Sequence, residues 1–347
     1  MEDLLTRAAR GRGAASVAVI PRTGASTQVR WTPRSEQEPA FLAYSITKTF
    51  TAALILELCE EGRLRLDDRL ARWFPRISRA DRITVRQLLN HTAGIPDYGG
   101  VLAYHESLKT APSMPWSFER FAAETFDKGL LFEPGQGWAY SNPAYMLLKR
   151  VIEDVTGTSF RGLVAERIAE PLGLRRTFVA ESIDDLAKLA PGTSTALSPD
   201  GSPRDVRTRY HPGWVSHAVV ASTASDLVAF VDGLFRGELL SQQSLDQMTR
   251  LLPVPTDPGT SAEQNVRSRR GTPSYGLGLM GDPGSPWGLV VGHNGGGPCY
   301  SASIFHAFDL EGATVCAMSA IEDDFSAEDL VFDVLDRLAS RSEPFSG

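Results

Sequence analysis

Cysteine is nearly absent. Cys59, Cys299 and Cys316 are the only three in 347 residues. An odd count without metal-site spacing excludes a disulfide framework and reads as reduced, mostly buried thiols of a cytosolic chain. Long apolar runs are missing too. Stretches such as 52–56 are far shorter than the roughly 20 residues of a membrane span. The opening MEDLLTRAARGRGAASVAVI lacks the basic start and apolar stretch of an export signal, and nothing marks a lipid anchor. A cytoplasmic protein without a membrane partner is therefore expected. Positive charge is not in excess, since 35 Lys and Arg stand against 42 Asp and Glu, a formal net charge of -7. Nucleic acid is not an expected partner.

Several catalytic signatures are also absent or incomplete. There is no P-loop and no G-x-S-x-G. His105-Glu106 is not completed to a zinc-protease motif, and no metal is expected. Gly276-Leu277-Gly278-Leu279-Met280-Gly281 fits a dinucleotide pattern, but Asp282-Pro283-Gly284 follows it where a helix is required. No cofactor is expected. Internal repeats and low-complexity tracts are missing as well.

What is present is an ordinary globular composition, 42% hydrophobic and 22% charged, long enough for one large domain or two medium ones. Residues 16–20 and 27–31 read as strands around a turn at Thr23-Gly24. Residues 41–45 lead into a helix, with Phe50, Ala53, Leu54 and Leu58 at helical spacing and Gly62 as its stop. Helix signals separated by Pro and Gly loops fill the middle, among them Asn142–Thr156 before Gly157 and a start at Ser225-Asp226. Residues 256–271 are polar and aperiodic, a loop. Strands return at 288–292, 301–308 and 313–319, and an amphipathic helix at 327–338 follows. Strands at both ends with helices between predict an α/β (α+β) domain split over 1–66 and 267–347, with 67–266 as a mostly helical insertion.

Three short segments carry chemistry. In Ser45-Ile46-Thr47-Lys48, residues three apart share one helix face. A serine hydroxyl needs a base to become a nucleophile, and a lysine serves only if burial or a nearby cation lowers its pKa. Of the lysines, Lys48 alone has a serine three positions earlier. The bland alternative is a capping serine with a solvent-facing lysine. Tyr140-Ser141-Asn142 follows a turn-rich loop. Tyr140 would shuttle protons if its pKa were depressed, and the Asn142 amide would bind a substrate carbonyl. Ordinary tyrosine packing is the alternative. His293-Asn294-Gly295-Gly296 ends a strand in a glycine-rich turn that lets a ligand approach the backbone. The N–H groups of Ser45 and Gly296 are candidate oxyanion donors. His293 is a candidate for orienting Tyr140 or binding substrate, with Asn294 and Gly295 beside it.

Together these segments resemble the serine β-lactamase and penicillin-binding protein superfamily. They are most similar to its class C branch, with its DD-peptidases, family VIII esterases and related acyltransferases. The family order is Ser-x-x-Lys, Tyr-x-Asn, Lys/His-x-Gly. Glu61 to Asp68, Leu88 to Ile95, Ala221 to Leu227 and Tyr275 to Gly278 resemble further family stretches. The resemblance spans nearly the whole chain. It implies a β-lactamase/transpeptidase-like fold, an antiparallel sheet flanked by N- and C-terminal helices, with the site between sheet and helical insertion.

The implied mechanism is acyl transfer through Ser45, with Lys48 and Tyr140 moving the proton and His293 completing the catalytic set. Whether Lys48 or Tyr140 is the main base stays open, as does water or an amine as acceptor. A histidine is mostly neutral near pH 7, unlike the lysine of many relatives at position 293, which suits a substrate carboxylate. With the missing export signal, this favours a small-molecule ester or amide: a cytosolic hydrolase or a biosynthetic transacylase. A DD-peptidase or β-lactamase, and a non-catalytic binder on the same scaffold, are the alternatives. Tyr98, Trp116 and Trp214 either line an aromatic pocket or pack in the core.

Overall fold

The computed structural model describes residues 1–255, 271–322 and 325–342. The loop expected at 256–271 lies outside them, Gly271 excepted. Strand β1 (Ala15–Ile20) is small, apolar or β-branched throughout and buried at every position, as a central strand covered on both faces must be. It pairs antiparallel with β2 (Gln28–Thr32) and β13 (Ala313–Ser319). The sheet continues through β12 (Ser301–Ala307), β11 (Gly288–Gly296), β10 (Met280–Ser285), β9 (Ser274–Tyr275) and β8 (Leu252–Pro253). Among the described residues it has eight strands in the order β2-β1-β13-β12-β11-β10-β9-β8, every pair antiparallel.

Period-two alternation sorts side chains between the faces. The register runs His293–Ile304–Cys316–Ala18 across one face and Asn294–Ser303–Ala317–Val17 across the other. The first face packs on helices Thr47–Glu60 and Ala224–Phe235; the second packs on Glu2–Ala9 and Ala327–Ser342. This is the expected antiparallel sheet flanked by terminal helices, with a largely helical middle. Two details depart from the sequence reading. Helix Ala224–Phe235 lies on β1 and β13, and β8 joins the sheet from within 67–266. The end of the middle segment is thus part of the sheet layer. Two small sheets also interrupt the helices. One has β7 (Val219–Ser222) between β3 (Phe41–Leu42) and β4 (Phe178–Ala180), and the other pairs β5 (Thr193–Ser194) with β6 (Arg204–Asp205).

Helix Thr47–Glu60 is buried from Thr47 through Leu56 on all sides, as its apolar run predicts for a core helix. Helix Asn142–Thr156 begins where expected. The Ser141 side chain accepts the Ala144 N–H as N-cap, Pro143 fills the first turn, and Gly157 at φ 72° ends the helix. The three cysteines are free, and among the described residues no helix is long and apolar enough to cross a membrane.

Candidate active site

Ser45 is delivered by a strand running into a core helix. β3 pairs with β7, and the Ala43 N–H extends the ladder to the Val220 carbonyl at 2.8 Å. The chain then turns at Tyr44, whose φ of 45° is rare for a bulky residue. A single 3-10 turn, Tyr44–Ile46, precedes the α-helix. The turn is clamped from outside: the Tyr44 hydroxyl donates to the Pro298 carbonyl at 2.7 Å. Glycines at the end of β11 and just after it make this approach possible. A Cβ on Gly295 would stand 2.2 Å from the Ala43 carbonyl oxygen, and one on Gly297 would stand 2.5 Å from the Tyr44 ring. Gly295 is therefore a backbone spacer seated against the serine turn, and Gly296 follows it exposed.

Around Ser45 the polar groups converge. Lys48 Nζ lies 3.2 Å from Ser45 Oγ, and the Tyr140 hydroxyl donates to the same Oγ at 2.8 Å. Lys48 Nζ donates to Asn142 Oδ1 at 2.6 Å and sits 4.7 Å from the Tyr140 ring centre. Lys48 is 5% exposed; burial lowers its pKa to about 7, against the opposing pull of the Asp97 carboxylate. The same burial acts oppositely on Tyr140, because there the charged form is the deprotonated one. Its pKa is raised, not depressed as the sequence reading required for a proton shuttle. The phenol is a neutral hydrogen-bond donor to Ser45, and Lys48 is the group that titrates near neutrality.

His293 sits elsewhere than expected. It is fully buried, one ring nitrogen 2.9 Å from the Tyr275 hydroxyl and the other 2.6 Å from the carbonyl of Asn294. Its ring centre is 6.4 Å from that of Tyr140, with both nitrogens engaged elsewhere. Burial, with Lys48 nearby, lowers its pKa to about 3, so it is neutral and presents no cation. Asn294 is a further correction: strand alternation turns its side chain to the opposite sheet face, where Nδ2 donates to Glu328 at 2.8 Å. Asn142 stands in the cluster, but its amide meets Lys48 and Asp97, not open space.

The aromatic residues resolve as packing. Trp214 is fully buried with Nε1 donating to the Pro112 carbonyl, and Tyr98 is 4% exposed with its hydroxyl 3.2 Å from Ser216 Oγ. They join Tyr104, Trp116 and Phe121 in a cluster that locks the loops around 98–116 and 208–217 together.

Three neighbours escaped the sequence reading. Asp97 accepts the Asn142 N–H at 2.8 Å and the Gly99 N–H at 3.0 Å. A lone carboxylate just after the Leu88 to Ile95 segment was the one available sign of it. Tyr275 lies in one of the family-like stretches, and its hydroxyl meets His293. His91 lies within the Leu88 to Ile95 segment. It is buried at φ 63°, accepts the Ser141 N–H at Nδ1, and packs its ring 4.5 Å from that of Tyr140. Among the described residues no group of His, Cys, Asp and Glu is placed to hold a metal ion.

A split antiparallel sheet, a buried Ser-x-x-Lys helix start and a tyrosine on the serine oxygen together define a β-lactamase/transpeptidase-like fold with its serine site. The chain belongs to the Beta-lactamase family, whose model matches residues 3–323. It is 31% identical over 300 residues to "Penicillin-binding protein 4*" of Bacillus subtilis (strain 168), covering 83% of this chain and 62% of that protein. A D-stereospecific amidohydrolase from Streptomyces sp. superposes with TM-score 0.79 at 28% identity, covering 95% of this chain and 96% of the other. The D-amino acid amidase of Ochrobactrum anthropi SV3 superposes with TM-score 0.81 at 26% identity, covering 99% of each. The chain spans about three fifths or less of the first curated relatives it matches.

Proposed function

We propose that the chain is a serine amidohydrolase of class C-like type, working through an acyl-enzyme on Ser45 and taking amides or esters whose acyl part needs no carboxylate. One observation carries the reading: Ser45 Oγ lies between Lys48 Nζ at 3.2 Å and the Tyr140 hydroxyl at 2.8 Å, with Lys48 poised to be neutral near pH 7. Neutral Lys48 takes the Ser45 proton as the oxygen attacks a carbonyl. The Ser45 and Gly296 N–H groups receive the oxyanion. Tyr140 then gives its proton to the leaving nitrogen or oxygen and is reprotonated from Lys48. Water, or an amine acceptor, releases the acyl group by the reverse sequence.

D-Amino acid amides are the substrates to try first, since structures named as a D-amino acid amidase and a D-stereospecific amidohydrolase share the fold along nearly the whole chain. The relative named as a penicillin-binding protein supports a second reading, action on cell-wall peptides or β-lactams. Against it, the position where many relatives place a lysine holds a buried, neutral histidine.

The test is a panel of D- and L-amino acid amides, p-nitrophenyl esters and a penicillin, each with and without an added amine. Mass spectrometry reads the products and the adduct on the protein. Hydrolysis of amides or esters with an acyl adduct on Ser45, lost in Ser45→Ala, is expected. Retained labelling in Ser45→Ala would refute the nucleophile, and a long-lived penicillin adduct without amide turnover would favour the second reading.

A further inference from the structure

Asp97 has no place in the acyl transfer just described, yet the hydrogen bonds from Lys48 through Asn142 lead to it. Its Oδ1 accepts the Asn142 backbone N–H at 2.8 Å, while Oδ2 accepts the Gly99 N–H at 3.0 Å and faces the Asn142 side-chain Nδ2 at 3.4 Å. These contacts are all donors, the pattern an ionised carboxylate requires; burial raises the Asp97 pKa, and the Asn142 and Gly99 N–H groups and Lys48 pull it back down. They decide which way the Asn142 amide points. With Nδ2 facing the carboxylate, Oδ1 must face Lys48, and it lies 2.6 Å from Nζ.

We propose that Asp97 is a positioning residue which, through Asn142, fixes the direction of the hydrogen bonds that end on Ser45. The inference rests on the acyl-transfer reading above. A neutral lysine amine has two N–H donors and one lone pair. An amide oxygen facing Nζ takes an N–H and leaves the lone pair for the Ser45 proton. A flipped amide would offer an N–H to that lone pair and block it. Tyr140 already donates to Ser45 Oγ, so the serine proton points to Lys48. The chain of donors then runs one way, from Tyr140 through Ser45, Lys48 and Asn142 to the Asp97 carboxylate.

The same carboxylate favours the lysinium that forms when Ser45 gives up its proton. Other groups near Lys48 supply no competing anion. His91 and His293 are buried and held neutral, Tyr140 and Tyr145 have raised pKa values, and Lys149 is a second buried lysine. Asp97 is thus the acid whose loss should move the Lys48 titration.

The experiment uses the full chain and measures how fast an acylating ester probe labels Ser45 as a function of pH, for wild type, Asp97→Asn and Asp97→Ala, with thermal melting alongside. Labelling should rise with pH as Lys48 loses its proton. Both variants should move that rise to lower pH by about one unit, the effect of removing a nearby opposite charge. Asp97→Ala, which also frees the amide to turn, should lose about 100-fold in plateau rate, within the range of a disabled general base. Asp97→Asn keeps the volume and one acceptor, so its loss should be smaller. If the rise stays at the wild-type pH in both variants, or in Asp97→Asn alone should Asp97→Ala not fold, the proposal is overturned and Asp97 only braces the loop. Failure of the wild type to label at Ser45 would instead refute the acyl-transfer reading itself.

Discussion

Replacing Lys48 with methionine should stabilise the protein while abolishing its chemistry. A pKa that falls by one unit on folding reports about 1.4 kcal/mol of differential interaction, so the drop from 10.5 to about 7 makes the gross cost of burying this lysine about 5 kcal/mol. The sign follows from proton counting. Between pH 7 and 10.5 the unfolded chain holds a proton on Lys48 that the folded chain has released. Stability from this site therefore rises with pH across that window and is lowest below pH 7. Methionine fills a similar volume without a charge to desolvate. It leaves the acceptor of Asn142 and one contact of Ser45 unmet, an offset of about 1–2 kcal/mol. Lys48→Met should then gain about 3 kcal/mol near pH 7, and the gain should shrink toward pH 10.5 as the unfolded lysine loses its own proton. Urea unfolding of both proteins at matched pH values measures this difference directly, because the titration of all other groups largely cancels. A gain independent of pH, or a loss at every pH, would mean that Lys48 is not held neutral by burial and that the proposed base is wrong.

Four further outcomes test the site. The kcat/KM of wild type should rise with pH on a limb near pH 7, set by deprotonation of Lys48, and a limb well below pH 6 would refute lysine as the base. Tyr140→Phe should lose about 100-fold or more in kcat, the worth of a positioned proton donor, with little change in melting, since its hydroxyl bonds to Ser45. Gly295→Ala puts a Cβ 2.2 Å from the Ala43 carbonyl oxygen, so it should displace the serine turn and cost about 1–3 kcal/mol of stability in urea unfolding, with Ser45 labelling lost more than fold. His293→Ala should remove one partner of the buried Tyr275 hydroxyl and lower stability by about 1–3 kcal/mol, while KM for substrates with and without a carboxylate changes equally.

The order of strands and helices was legible because its signals are local. The central strands carry β-branched and small apolar residues, Asn142–Thr156 has its Pro and Gly punctuation, and the apolar run after Phe50 marks a helix buried on all sides. The meeting of Ser45, Lys48 and Tyr140 was legible only through resemblance, since the Tyr140 contact spans 95 residues and no local pattern encodes it. Side-chain direction was the part that failed. Asn294 and His293 are adjacent in one strand, so the pleat sends them to opposite faces, and a motif read as a unit hides that division. The condition set for Tyr140, a depressed pKa, is not met for a related reason. Proximity to a lysine lowers a phenol pKa only if the lysine is charged, and burial removes the charge from one and forbids it on the other.

Burial thus performs two opposite tasks at adjacent residues. It disfavours a cation on Lys48 and an anion on Tyr140, and so selects the neutral form of each. The neutral forms are the useful ones, a base with a free lone pair and an acid with a proton to give, both within 3.2 Å of Ser45 Oγ. Attack on a carbonyl then creates charge in a site that held little. In the proposed reaction the new cation on Lys48 would form near the Asp97 carboxylate, and the new oxyanion would form where β11 ends. Gly295 brings that strand against Ala43, so the proposed oxyanion site depends on a missing Cβ as much as on any functional group. An alanine at 295 and a methionine at 48 should accordingly fail in different ways. The first should disturb both acylation and the fold around the serine turn, and the second should abolish acylation in a protein more stable than the wild type.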